Sequence, residues 1–217
     1  QMLAERKGGI SAFFVETTAP GYSFDGVLPV MGHIGGDCGS MVFDNVRVSA
    51  DRMVGPLNQG FQIAMFGISE GRLSISANCI GMCEYALDRS LEYAQQRISF
   101  GKPISEYQAI QFMLADMAID IYTMKYMVLQ TAALVEAFPQ TGRLPVKEIS
   151  IAKAYAVEKS QECYDRAIQV HGGMGLTNEL PLNEGFRIAR TLRIPDGTGE
   201  IQRRTIARQM LRGDTAF

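Results

Sequence analysis

Two stretches near the C-terminal end hold residue types that could do chemistry. Gln169-Val-His-Gly-Gly-Met-Gly175 closes an apolar, helix-length segment with three glycines. Ile194-Pro-Asp-Gly-Thr-Gly-Glu-Ile-Gln202 then sets a single carboxylate, Asp196, in a tight turn between Pro195 and Gly197. Glycines let the backbone approach a bulky ligand such as a diphosphate, and a carboxylate nearby could act as an acid or a base. A third stretch, Arg97-Ile-Ser-Phe-Gly-Lys-Pro103, puts Arg97 and Lys102 on either side of Phe100. A guanidinium suits a diphosphate through paired donors, and the Phe ring offers a flat apolar face to a ring system. In a fourth, Glu70 and Arg72 flank Gly71.

Each stretch has an ordinary structural alternative. Asp196 is also a common turn residue and could cap a helix starting near Thr198 or Gly199. The glycines after Val170 could be a helix stop. Arg97 and Lys102 could be basic residues at a helix end, favoured by the dipole, and Glu70 and Arg72 could be solvated. The glycine run does not follow a strand as Gly-x-Gly-x-x-Gly, so a Rossmann site is not supported. The information lies in the four stretches occurring together, in this order.

These residues must be held by a mainly α framework. Residues 8 to about 56 read as strands: Ile10-Ser-Ala-Phe-Phe-Val15, a Pro20-Gly21 turn, and Gly39 to Val48, where Met41, Phe43 and Val46 alternate with polar residues and Asp44-Asn45 interrupts. This predicts a small antiparallel sheet with too few strands to close a barrel. From Gln59 the period becomes helical, with a bend expected at Gly71 and a long helix over Leu73–Arg97. Glu106–Phe138 carries Ile110, Met113, Met117, Ile121, Met124 and Val128 at steps of three and four, with Ser105 as the expected N-cap. The Met and Tyr content of this helix suits a bundle core better than a ligand-lining face. Val146–Val170, Asn183–Ile194 and Glu200–Leu211 complete the helices. Long helices with short connections predict an antiparallel bundle.

Composition narrows the function classes. The chain has 217 residues, 47% of them apolar, and a net charge of −2. That is enough apolar material for a full core, and it lacks the basic excess of a nucleic-acid surface. No apolar run reaches the length of a membrane span. Gln1-Met-Leu-Ala-Glu-Arg-Lys-Gly-Gly9 has no apolar secretory core and reads as a chain entered mid-fold. Cys38, Cys79, Cys83 and Cys163 are expected to be reduced and mostly buried, with Cys79 and Cys83 on one helix face. With only His33 and His171 beside them, a metal cluster is not expected.

Arg97-x-Ser-Phe-Gly-Lys102, Gln108-Ala-Ile-Gln-Phe112, Gln169-Val-His-Gly-Gly-Met-Gly175 and Asp196-Gly-Thr-x-Glu-Ile-Gln202 together resemble the signatures of the acyl-CoA dehydrogenase family. The resemblance covers almost the whole chain. It implies the second half of a middle β domain over residues 1–56 and a complete C-terminal helical bundle over 57–217. It further implies FAD as cofactor, a homotetramer built as a dimer of dimers, an acyl-CoA substrate, and an electron-transfer flavoprotein as acceptor. The compartment would be a bacterial cytoplasm or an organelle matrix. The reaction would be α,β-dehydrogenation to a trans-2-enoyl-CoA in fatty acid metabolism.

Residue by residue, the resemblance puts Arg97, Ser99 and Phe100 against the FAD of a neighbouring subunit, with Gln169 and Gly173 at its ADP portion. Thr198 and Glu200 would lie near the chain's own FAD, and Arg72 by the acyl-CoA pocket. Asp196 falls where most members carry a Glu base. Asp is one methylene shorter, a reach deficit on the order of an ångström. Some relatives carry the base just before the Arg matched by Arg72, and here that position is Gly71. Without the first half of the β domain, the 217 residues are expected not to turn over. Two other members of the fold remain open at this point: an acyl-CoA oxidase relative, and a non-catalytic assembly or regulatory homologue.

Overall fold

The computed structural model describes residues 9–32 and 36–216. The N-terminal stretch before Gly9 and His33 lie outside the described residues. The chain forms two compact units, Gln1–Glu70 and Gly71–Phe217.

In the first unit, β1 (Ala12–Phe13) pairs antiparallel with β4 (Met53–Val54), and β2 (Tyr22–Leu28) pairs antiparallel with β3 (Cys38–Phe43). The β2–β3 register slips once between Phe24 and Gly26. Gly21 lies at φ 88° and Asn45 at φ 50°, so the chain turns at both expected interruptions. The alternation of Met41 and Phe43 does not mark a buried face here. Both are more than half exposed, as are Phe24 and Leu28, because a two-stranded ribbon has no second layer to cover it.

One long helix, α1 (Gly60–Gln96), follows. It begins at a glycine because a Cβ there would overlap the backbone of Ser11 and Ala12. The bend expected at Gly71 is absent; α1 runs through it unbroken. A single glycine weakens a helix by roughly 1 kcal/mol but does not remove a backbone hydrogen bond.

The second unit is helical. After α1 comes a miniature hairpin, β5 (Ile98–Ser99) with β6 (Lys102–Pro103), and then α2 (Gln108–Glu136), the short α3 (Phe138–Thr141), α4 (Val146–His171), α5 (Leu182–Thr191) and α6 (Gly199–Leu211). Ser105 is not the cap of α2. It sits in a 3-10 turn over Ile104–Glu106, and α2 begins after Tyr107. Tyr107 donates its hydroxyl to the Ser99 carbonyl at 2.9 Å, which ties the chain back to the hairpin and delays the helix.

α4 is the central helix and packs against α2, α5 and α6. Ala152, Ala156, Val157, Cys163 and Ala167 of α4 are buried with Cys79 and Cys83 of α1 and with Met117, Ile121, Met124 and Val128 of α2. Met117 and Met124 of α2 go into the core as their spacing predicts, whereas Met113 is half-buried and Tyr122 and Tyr126 face outward. Gly185 lets α5 lie against α4, since a Cβ there would overlap the Tyr164 ring. Asp120, buried on α2, is paired with Arg166 at 3.0 Å and Lys159 at 3.5 Å, which a buried carboxylate requires. Burial pushes the Cys79 thiol up to about 11, so it is a packing thiol and not a nucleophile. No helix among the described residues is long and apolar enough to cross a membrane.

Candidate functional site

The motifs read from the sequence gather at two places in the helical unit. The first is the Asp196 turn. Asp196 has φ 56° and Gly197 φ 97°, two consecutive left-handed residues. A non-glycine residue there costs roughly 1 kcal/mol, and Asp is among the few that tolerate it. This geometry turns both peptide carbonyls inward, where buried donors meet them. Arg72 Nε donates to the Asp196 carbonyl at 2.8 Å and Gln202 Nε2 to the same oxygen at 3.1 Å. Lys153 Nζ donates to the Gly197 carbonyl at 2.8 Å and Gln202 Nε2 to it at 3.0 Å.

With its backbone held from within, the side chain of Asp196 projects at α1. A Cβ on residue 71 would come 2.5 Å from Asp196 Oδ2. Gly71 is therefore the space that the carboxylate occupies. The carboxylate makes no hydrogen bond or ion pair of its own among the described residues. The cap of α6 is Thr198, whose Oγ1 accepts from the Ile201 amide at 3.5 Å. Asp196 is thus not needed as a helix cap. Hydrogen bonding to Thr198 lowers the carboxyl pKa of the exposed Glu200.

Two cations are buried in this cluster. Arg72 is 5% exposed and Lys153 is 0% exposed. Desolvation pulls both below their ordinary values, and the Asp196 charge pulls both back up. Gln202 Oε1 is buried without a partner among the described residues. Sequence reasoning missed Lys153. Its signal was present: it stands four residues from Ile149 and four from Val157, both buried on the same face of α4. A Lys on an apolar stripe needs a reason. Gln202 was part of a quoted motif but carried no role.

The second place is a cleft of about 530 Å³ lined by Tyr93, Arg97, Ser99, Ile110, His171 and Gly173 among others. It brings together Arg97 and Ser99 of one stretch with Gly173 of another. Asp196, Arg72, Thr198 and Glu200 do not line it. Gln169 is exposed near its edge on the last turn of α4. The β5–β6 turn holds Phe100 at φ 50° and Gly101 at φ 83°, the two positive φ values of a two-residue type I′ loop. Phe100 is 96% exposed, so a strained bulky residue displays its ring where no atom of its own chain covers it. At the glycine turn, a Cβ on Gly172 or Gly173 would meet nothing within 4 Å. The chain itself does not need that space. His171 is buried beneath it, stacked on Tyr93 at 4.5 Å, with Nδ1 2.8 Å from the Ala167 carbonyl.

Comparison with known proteins gives this arrangement a family. The sequence profile of the acyl-CoA dehydrogenase C-terminal domain matches residues 58–211. The chain belongs to the acyl-CoA dehydrogenase family. It is 40% identical to the probable acyl-CoA dehydrogenase YngJ of Bacillus subtilis over 95% of its own length and 53% of that protein. Its structure resembles butyryl-CoA dehydrogenase from Megasphaera elsdenii with a TM-score of 0.88 at 33% identity, covering 94% of this chain and 52% of that one. It also resembles PigA with FAD and proline, with a TM-score of 0.87 at 26% identity, covering 94% of this chain and 52% of that one. The chain spans about half the length of the relatives it matches. Members of this family are FAD-dependent oxidoreductases. The residues here fit a share of such a cofactor: an open glycine turn and a guanidinium for a diphosphate, and an uncovered aromatic ring beside them.

Proposed function

We propose that the whole protein carrying this chain removes two hydrogens from the α and β carbons of an acyl-CoA thioester, releasing the trans-2-enoyl-CoA. The observation that carries this reading is the Asp196 carboxylate, aimed at the gap left by Gly71 while its backbone is held by Arg72, Lys153 and Gln202. Asp196 is the base: a carboxylate oxygen takes the α-proton as the Cα–H bond breaks. FAD, when bound, supplies the acceptor for the β-hydride.

A carboxylate alone is too weak a base for a carbon acid, so orientation must supply much of the rate. With the backbone of the turn held, only the two side-chain torsions of Asp196 remain to be ordered in the reaction, and holding reacting atoms in line is worth several kcal/mol. Arg72 closes the floor of the acyl pocket beneath it. Thr198 and Glu200, on the first turn of α6, face the FAD held by the same subunit. Arg97, Ser99, Phe100, Gln169 and Gly173 face the FAD of a neighbouring subunit, so the active form is a homo-oligomer, a dimer of dimers. An electron-transfer flavoprotein reoxidises the cofactor. We place the domain boundary near Pro56, where the strands end and α1 is about to begin, although the first compact unit runs on to Glu70 by including the first turns of α1. The uncovered faces of β2 and β3 would receive the first half of the β domain, and the 217 residues alone do not turn over.

The test is anaerobic mixing of the FAD-loaded whole protein with acyl-CoAs of graded chain length. The yellow flavin absorbance bleaches with at least one of them. Bound FAD that no acyl-CoA bleaches would contradict dehydrogenation.

A further inference from the structure

We infer that Lys153 is a positioning residue for Asp196: its buried ammonium grips the Gly197 carbonyl and holds the turn that aims the carboxylate at Gly71. The inference rests on the reading of Asp196 as the base.

Lys153 is fully buried, on the face of α4 that it shares with Ile149 and Val157. An ammonium brings three donors, and among the described residues Nζ has one hydrogen-bond acceptor, the neutral carbonyl of Gly197. A buried lysine without a carboxylate in direct contact is costly, and an apolar side chain of similar length would pack there with less desolvation. Its placement is therefore explained by what it holds and not by the stability it gives.

Gly197 is held at φ 97° and Asp196 at φ 56°. Rotation of the peptide between Gly197 and Thr198 would swing the Gly197 carbonyl out of the interior and release the turn. Two donors oppose this rotation, Lys153 from α4 and Gln202 from α6. Arg72 from α1 grips only the preceding carbonyl. The charged groups around the Lys153 ammonium are Asp196, which favours it, and Arg72 and Arg193, which oppose it. Asp196 is the favourable charge, so the lysine and the carboxylate act on each other through space as well as through the backbone. Gln202 alone holds the peptide by a neutral donor already shared with the Asp196 carbonyl.

The experiment is a double-mutant cycle in the FAD-loaded whole protein, with Lys153→Met and, as a second variant of different packing, Lys153→Gln, each alone and combined with Asp196→Asn. Three quantities are measured: kcat and KM for acyl-CoA oxidation, the thermal midpoint, and the crystal structure of the 196–197 turn. The expected result is a kcat reduced by at least about tenfold, as misplacement of a reacting group produces. KM stays within about threefold and the midpoint is unchanged or raised. The Gly197 carbonyl rotates away, and in the Asp196→Asn background the lysine change has no further effect on the residual rate. A lysine that merely supports the fold would lower the midpoint and reduce the residual rate of Asp196→Asn by the same factor as the wild-type rate; that result overturns the inference. An unmoved turn in both lysine variants overturns it as well. Full activity in Asp196→Asn alone would strike the base assignment instead, while the crystal structures still decide whether Lys153 holds the turn.

Discussion

At the scale of the residue, the chain places its carboxylate by removing a side chain opposite it. Gly71 and Asp196 form a pair in which one residue supplies the group and the other the space. A Gly71→Ala change separates the two effects cleanly. Alanine is the better helix former by about 0.5 to 1 kcal/mol, and the clashing atom is the mobile end of a side chain. We expect the thermal midpoint to hold or rise by a few degrees and kcat to fall at least about tenfold as the carboxylate is pushed aside. A variant with lower stability and unchanged kcat would contradict the pairing. The sequence made Asp196, Gly71 and Arg72 visible through turn chemistry and motif order. It could not reveal that they meet, because 124 positions separate Arg72 from the carbonyl it binds. Lys153 stayed hidden because one of three Lys residues in a helix reads as solvated until the helix is known to be central.

At the scale of the element, helical periodicity was readable where one face is apolar and misread where local hydrogen bonding decides. The α2 stripe from Met117 to Val128 lies in the core as its spacing demands. The start of α2 was shifted by the tie from Tyr107 to Ser99, a contact between segments that no cap rule anticipates. The end of the site-bearing turn is braced by another such contact. Glu158 on α4 takes two hydrogen bonds from Arg203 on α6, both 2.7 Å, one to each oxygen. They hold the Glu158 carboxyl below its ordinary 4.5. A carboxylate depressed in the folded state stabilises it above the unfolded value, and that contribution disappears as pH falls through the folded value. Arg203 is well exposed, so the pair is worth only about 0.5 to 1 kcal/mol. Glu158→Gln should lower the thermal midpoint slightly at neutral pH, and the gap to wild type should close as the pH falls below about 4.5. A gap independent of pH would mean that the pair is not what links the two helices.

At the scale of the whole molecule, the β2–β3 ribbon and α2 are among the described elements that leave apolar surface uncovered. The faces of β2 and β3 are uncovered, and α2 carries Phe112, Ile119, Tyr122, Tyr126 and Leu129, each more than half exposed, along one outward stripe. The spacing of seven, three, four and three residues keeps them on one side of the helix. Exposed stripes of this size are uncommon on a monomer. If a second copy covers α2, replacing Tyr122 and Leu129 by Glu should shift the whole protein to a smaller species in sedimentation velocity while its helical circular dichroism persists. An unchanged sedimentation coefficient would remove α2 from the interface. This surface was not legible as a surface in the sequence, since the same Met and Tyr residues fit a core equally well until their two faces are separated.

The measurement that reaches the central claim most directly is α-proton exchange catalysed by the FAD-loaded whole protein in deuterated water, using an acyl-CoA that it oxidises, compared between wild type and Asp196→Asn. Proton removal by Asp196 predicts rapid exchange at the α carbon in the wild type and loss of exchange by at least about a hundredfold in the variant, with FAD still bound. Exchange at the wild-type rate in Asp196→Asn would show that another group takes the proton, and the account built on this turn would fail.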